Sequence, residues 1–357
     1  MDIQQILKDC NEIISSVSMS KFRNKKVLIL GANSFLASYI IAALMHANEK
    51  KNNNTKVYAL SKNNLRCISK ELKKKYKNFL FFEKVNLVNL NVIKKKYLNN
   101  KYDFIFHCAT YGQPEKWKNN LSETIVLNTS LLELLLNYCL KQKTKLMYFS
   151  SCDVYKNNNS RKHIDENFTQ SHPDDDYRSV YSLSKILGEK LCKLYKKNCN
   201  LKTYIVRPAH TYGPGQTIYD RRFISQAIKR SLVEKKVYIY GNGKSIKTWG
   251  YISEITSMLL NIIQFGKSDI YNTTGNEYLS IKNIAKIIAK KTGVKFYQKK
   301  IGNNFASKDY TNVKVTSKKY HNEFKKKIIK VNINEGIEKF IAWNKSVLNK
   351  NEFKKYF

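Results

Sequence analysis

An α/β chain with a parallel sheet wound on both faces is what the sequence predicts, and two observations carry that expectation. Short β-rich apolar runs at 27–30, 56–60, 79–82, 103–107, 145–149 and 203–206 alternate with helical stretches, and strands separated by helices pair in parallel with helices on either side. The run at 145–149 then ends in the small polar residues Ser150 and Ser151, at the carboxyl end of a strand, where such sheets place their chemistry.

Taken in order, residues 1–24 read as an amphipathic helical extension with Ile3, Ile6, Leu7, Ile13 and Ile14 on one face. From Lys25 the first run feeds a tight turn at Gly31 and a helix that opens near Phe35. The apolar stretch 35–45 lies in that helix and is too short to span a bilayer. After Arg207 the pattern breaks into loops and shorter elements, with a return to the sheet expected at 269–272 and a short terminal helix at 334–343. The expected organisation is therefore an extension at 1–24, a first domain at 25–208, and a smaller lobe at 209–357 that sends chain back to the first sheet near 245–275. All four prolines, Pro114, Pro173, Pro208 and Pro214, fall after predicted strands or in the loop leading to Tyr181, rigid punctuation where a site would lie.

Composition narrows the function classes. At 357 residues and 42% hydrophobic content the chain can bury a sizeable core. Its formal charge of +38 comes from scattered Lys clusters such as 73–75, 94–96 and 325–327, with Arg scarce and no nucleic-acid-binding motif. That reads as solvated basic faces, not a specific nucleic-acid site. The seven Cys form no C-x-x-C pair and most sit in apolar runs, so reduced thiols are expected and no metal centre. The start, Met1-Asp2-Ile3-Gln4-Gln5, lacks the basic and apolar segments of a signal peptide, which makes a cytoplasmic protein without membrane insertion the expectation.

Tyr181 and Lys185 are spaced to share one helix face. A nearby ammonium lowers the pKa of a phenol that otherwise loses its proton near ~10. A phenolate so poised can take the proton of a sugar hydroxyl while hydride leaves the same carbon for a nicotinamide. Ser151, at the strand end, would give the same oxygen a second hydrogen bond. An isolated Tyr and Lys at this spacing more often mean an aromatic at the core edge beside a solvated amine. Here a strand, its polar end and the helix follow one another in the order a catalytic site requires.

The turn after the first run, Gly31-Ala32-Asn33-Ser34-Phe35-Leu36-Ala37, is strand, turn and helix, the arrangement that aims helix amides at a pyrophosphate. Only the first of the usual three glycines is present; Ser34 and Ala37 hold the other two positions. Ser34 either crowds a phosphate or donates a hydrogen bond to it. At the end of the second run, Ser61 and Lys62 stand where an acid would hold a ribose diol, and Lys62 would suit a 2′-phosphate. Asn86 and Leu87 after the third run would flank an adenine, and Ala109, Thr110 and Tyr111 after the fourth a nicotinamide ribose.

The ordered segments His107-Cys108-Ala109-Thr110, Ser150-Ser151-Cys152-Asp153-Val154-Tyr155, 178–185, 206–215 and 241–251 resemble the extended short-chain dehydrogenase/reductase superfamily, specifically its nucleotide-sugar epimerases, dehydratases and decarboxylases. The resemblance runs from about 25 to 343. It implies a Rossmann-type doubly wound sheet with a smaller C-terminal α/β substrate-binding lobe, NAD as cofactor with NADP as the alternative, and a nucleotide-sugar substrate. It also implies a homodimer paired through the helices at 124–143 and 180–197. By the same resemblance Ser151 binds the reacting oxygen, Tyr181 is the base, and Lys185 holds the nicotinamide ribose. Asp153 falls where dehydratases and decarboxylases carry a Glu, and Cys152 where 4,6-dehydratases carry an Asp. His210 replaces a substrate-contacting Asn, Lys247 replaces an Arg that clamps the diphosphate, and Arg222 matches an Arg of the nucleotide pocket. The loops around Arg178, Arg222 and Gly241 look most like UDP-glucuronate decarboxylases. Asp153 as a cap of its loop and Lys247 as a solvated amine are the plainer alternatives. Oxidation and re-reduction of C4 needs only Ser151, Tyr181 and Lys185, so a 4-epimerase is the simplest expectation, a decarboxylase the next, and a catalytically weak nucleotide-binding protein the third.

Overall fold

The structure, a computed structural model, describes residues 4–67, 70–112, 114–155, 163–168, 177–217, 219–300, 312–325 and 329–348. Its strands are β1 (Lys26–Leu30), β2 (Lys56–Ser61), β3 (Leu80–Lys84), β4 (Phe104–His107), β5 (Lys145–Phe149), β6 (Thr203–Pro208), β7 (His210–Tyr212), β8 (Lys236–Tyr240), β9 (Ile246–Tyr251), β10 (Ile270–Thr273), β11 (Glu277–Ser280) and β12 (Lys295–Lys299). The helices are α1 (Gln4–Ser16), α2 (Phe35–Lys51), α3 (Lys70–Lys75), α4 (Leu90–Val92), α5 (Pro114–Asn119), α6 (Leu121–Asn128), α7 (Ser130–Gln142), α8 (Tyr177–Cys199), α9 (Phe223–Val233), α10 (Ile252–Phe265), α11 (Ile281–Thr292), α12 (Lys318–Glu323) and α13 (Ile333–Leu348).

Seven strands form one sheet in the order β10-β6-β5-β4-β1-β2-β3, and every pairing in it is parallel. The seven predicted strand runs, including the late return, fall on these seven strands. Burial explains the continuous apolar runs of the inner strands: along β1, Val27 and Ile29 enter one core layer while Leu28 and Leu30 enter the other. A strand covered on both faces has no solvent side to alternate toward. One layer lies under α1, α2 and α10, the other under α7 and α8. Helix α10 is buried on every side from Ile252 to Gln264, as its apolar circumference requires.

Past β6 the sequence showed mainly loops, but the chain builds an ordered second lobe. It holds a three-stranded sheet, β11-β9-β7, and a parallel pair, β12-β8, with α9 and α11 packed beside them. The return to the main sheet is made by β10 alone; β9 belongs to the lobe. The stretch expected as one helix at 124–143 breaks at Thr129 into α6 and α7, and the terminal helix runs longer than expected, through α13.

The N-terminal extension is the expected amphipathic helix, with Ile6, Ile13 and Ile14 buried; Ile3 lies outside the described residues. Its Asp9 is buried as well, accepting hydrogen bonds from Tyr39 on α2 at 2.9 Å and from Tyr251 on β9 at 3.1 Å. Pro114 opens α5, where its missing amide costs nothing, and Pro208 ends β6; Pro173 lies outside the described residues. No helix among the described residues is long and apolar enough to cross a membrane. Six of the seven cysteines are buried, all are free, and Cys199 is exposed.

Candidate active site

The main sheet reverses its winding between β1 and β4, and at such a point the loops leaving two strand ends diverge and open a crevice. A cavity lies there. Gly31, Ser34, Phe35 and Leu36 line it from the turn after β1, Ser61 and Lys62 from the end of β2, Asn86 and Leu87 from the loop after β3, and Ala109, Thr110 and Tyr111 from the loop after β4. Ser151, Cys152, Asp153, Tyr181, His210 and Arg222 complete the opposite wall. Of the residues expected in the site, Lys185, Arg178 and Lys247 do not line it. Lys185 is buried beneath Tyr181, Arg178 is in the first turn of α8, and Lys247 is half-buried on β9, where it bridges to Val313.

The turn after β1 is shaped by Gly31. Its φ of +77° suits glycine, and a Cβ there would come within 2.6 Å of the Ala109 backbone. Ser34 is the N-cap of α2, with φ −68° and ψ 157°, and its Oγ accepts a hydrogen bond from the Ala37 amide at 3.4 Å. The side chain therefore turns along the helix and does not cross the turn, which removes the expected crowding. The amides of Phe35 and Leu36, the first of the helix, lack intrahelical partners by helix geometry and face an anion-binding position. Thr110 Oγ1 is buried and reaches the Tyr181 hydroxyl, which it helps to hold in the cavity wall. A glycine turn that no Cβ would fit, a capped helix start and four loops on one cavity fit an extended dinucleotide such as NAD.

The catalytic wall rests on a buried ionic network. Arg207 on β6 donates to Glu189 on α8 through Nε at 2.8 Å and Nη2 at 2.6 Å. Ser150 donates to Glu189 Oε1 at 2.5 Å, and Arg207 Nη1 donates to the Tyr155 hydroxyl at 2.6 Å. The network ties β5, β6, α8 and the turn at Cys152–Tyr155 together around Ser151. Gly188 lets α8 settle onto β5, since a Cβ there would meet the Tyr148 hydroxyl at 2.3 Å.

Ser151 Oγ donates to Asp153 Oδ2 at 2.9 Å and accepts from the Asp153 amide at 3.1 Å. Ser151, not Asp153, thus caps this loop, and the carboxylate is turned to the hydroxyl. The Cys152 thiol is pushed well up by burial and then by Asp153, against the opposing charge of Lys247; it is neither acid nor base at neutral pH. Tyr181 is raised above the ordinary phenol value by burial and by the Asp153 charge, against the pull of the Ser151 hydroxyl. Lys185 Nζ donates to the Phe149 carbonyl at 2.6 Å and lies 5.9 Å from the Tyr181 ring centre. Burial brings its own pKa down to about 7. The expected lowering of Tyr181 by Lys185 is outweighed by burial of both groups.

On the far wall His210 packs 5.3 Å from Trp249 with its Nδ1 buried and unpartnered. Burial, then Lys247 and Arg222, brings its pKa down to about 3, so the ring is neutral. Arg222 is gripped by Asp220 through Nε at 2.9 Å and Nη2 at 2.7 Å. Sequence reasoning missed several residues of this site: Arg66 and Asp220 on the cavity beside Arg222, Lys116 and Trp117 from α5, and the Glu189–Arg207 pair behind it. An Arg inside the apolar run of β6 was the one available signal for the pair, because a charge there needs a buried partner. Among the described residues no cluster of His, Cys, Asp or Glu could hold a metal ion.

The dTDP-D-glucose 4,6-dehydratase of Dictyostelium discoideum is 31% identical over 285 residues, covering 74% of this chain and 61% of that protein. UDP-glucuronic acid decarboxylase 1 of Xenopus tropicalis is 22% identical over 275 residues, covering 77% and 62%. The chain thus spans less than two thirds of the length of either relative. In fold it superposes on the crystal structure of a UDP-glucose 4-epimerase from Thermotoga maritima with a TM-score of 0.75, at 17% identity, covering 90% of this chain and 99% of that one. The model of the NAD dependent epimerase/dehydratase family matches residues 27–273. That match runs from β1 to β10 and takes in the loops lining the cavity, and the chain belongs to the NAD dependent epimerase/dehydratase family.

Proposed function

We propose that this enzyme is an NAD-dependent nucleotide-sugar 4-epimerase. The observation that carries the reading is that Ser151 and Tyr181 share one cavity wall while the position beside Ser151 holds the buried thiol of Cys152 and no carboxylate. Elimination of water from a 4-keto sugar calls for an added acid and base beside the Ser; inversion at C4 does not. A nicotinamide cofactor held by the turn after β1 and the loops after β2, β3 and β4 would supply the hydride acceptor and donor for the sugar carbon.

The chain's own residues do the rest. Tyr181 takes the proton of the C4 hydroxyl and gives it back, and Ser151 holds the same oxygen. Burial makes the Tyr181 phenolate costly, which favours return of the proton and suits a reaction with no net proton change. Lys185, buried against Phe149 and 5.9 Å from the centre of the Tyr181 ring, would support the ionised phenol through its charge from beneath. Arg222, aligned by Asp220, and neutral His210 bind the nucleotide and sugar, with Arg66 nearby; Lys247 attracts the diphosphate from the edge of the site, and Arg178 stands one turn before Tyr181 on α8.

A decarboxylase of a nucleotide uronate is the second reading, favoured by the Asp153 carboxylate on the cavity and by Lys247, whose charge reaches Cys152 and His210. A homodimer is supported by Leu183, Leu187 and Leu194, which leave about half their area exposed along α8 (50%, 51% and 52%). The test of the epimerase is isotopic. UDP- and dTDP-hexoses deuterated at C4 should give products that keep the label at C4; label lost to solvent, a hexose product lighter by water, or a product lighter by carbon dioxide from the matching uronate overturns the reading.

A further inference from the structure

The face of Tyr181 is covered by Trp117. The indole and phenol rings lie 4.0 Å apart at their centres and only 8° from parallel, and both side chains are buried, at 4% exposure each. Trp117 comes from α5, a short helix on the cavity wall that packs against α8. Its indole plane is fixed from behind, because Nε1 donates to the Tyr111 carbonyl and the Tyr111 hydroxyl donates to Glu123. Lys185 holds the ring less closely, with its Nζ 5.9 Å from the ring centre and bonded to the Phe149 carbonyl.

We propose that Trp117 is a positioning residue for Tyr181, holding the phenol ring against a fixed indole plane so that its hydroxyl stays aimed beside Ser151. The proposal rests on Tyr181 being the catalytic group. A parallel stack across the whole ring blocks the swing about Cα–Cβ that would carry the hydroxyl out of the site. The same stack keeps water from the ring, and the negative face of the indole disfavours an adjacent anion. Trp117 therefore acts on the orientation of Tyr181 and on the pH at which it titrates.

Both effects are readable in steady-state kinetics of Trp117→Leu, Trp117→Met and Trp117→Phe beside Tyr181→Phe. Loss of the indole should cut kcat by about 10- to 100-fold with KM within about threefold, because sub-ångström misplacement of a reacting group costs rate before binding. The rising limb of kcat/KM should also move about one pH unit lower as water reaches the phenol. Trp117→Phe, which keeps an aromatic face, should recover most of kcat and return the limb toward the parental position. If Trp117→Leu does not fold, Trp117→Met, which fills the space with an unbranched chain, carries the comparison. Unchanged kcat and pH profile in the Leu or Met variant overturns the proposal, as does a raised KM alone, which would make Trp117 a plain wall of the substrate site. Tyr181→Phe keeps these outcomes apart from the assignment of the base: if it too retains activity, the assignment of Tyr181 has failed, and if it alone is inactive, only the role of Trp117 has.

Discussion

Glu189 and Arg207 meet in the core behind Ser151 through two hydrogen bonds of 2.8 and 2.6 Å, each side chain almost wholly removed from solvent (5% and 7% exposed). Glu189 also receives Ser150, so the pair fixes the end of β5 to α8 and β6. Glu189→Gln or Arg207→Met leaves a charge buried without its partner, and should destabilise the protein by about 3–5 kcal/mol. Urea unfolding at neutral pH measures it. A loss under about 1 kcal/mol would show that water reaches the pair.

Tyr181→Phe removes only the phenolic oxygen from a stacked, buried ring. Turnover should fall by about 10²- to 10⁴-fold, the usual worth of a general base. Thermal stability and NAD affinity should be kept, measured by calorimetry of the parent and the variant.

Ser34 caps α2 from the edge of the cofactor turn. Ser34→Ala should cost about 1 kcal/mol of stability and Ser34→Gly only a few tenths, as at other helix N-caps. Affinity for NAD should be unchanged by the Gly variant, because the side chain is turned to the Ala37 amide. A large loss of NAD affinity in that variant would put the Ser34 hydroxyl on the phosphate.

Lys185 has its pKa brought down to about 7 by burial, while in the unfolded chain it titrates near ~10.4. Between those values the unfolded state binds more protons, so this residue makes stability rise with pH from about 7 to about 10. Below that window its burial is a standing cost, roughly 1.36 kcal/mol for each pH unit that separates the two values. Lys185→Met should therefore be more stable than the parent at neutral pH, by an amount that shrinks as pH approaches 10, and should be inactive. Melting temperatures of the two proteins across that range show the convergence; parallel curves would contradict it.

The main sheet was legible because its inner strands are buried on both faces: β1, β4 and β5 carry the apolar runs 27–30, 104–106 and 146–149 and stop at Gly31, Cys108 and Ser150. The second lobe was not, because β8, β11 and β12 are partly exposed and mix apolar with polar residues, and no period separates such strands from loops. Within the site, residues at strand ends were found because the sheet places them there. Trp117 and Arg66 were not, since each reaches the cavity from a stretch whose sequence reads as an ordinary polar loop. The Ser34 capping bond depends on one side-chain rotamer that residue type alone leaves open. Lys247 was placed on the diphosphate by resemblance; in the structure it is half-buried on β9 and is not among the residues that line the cavity.

The central claim, reversible oxidation of a nucleotide sugar at C4, is tested most directly by product analysis. Purified enzyme with NAD is incubated with UDP-, dTDP-, GDP- and CDP-hexoses and the matching uronates, and products are followed by mass and proton NMR. A product of unchanged mass with inverted C4 is the result predicted here. Loss of water from a hexose, or of carbon dioxide from a uronate, would contradict it.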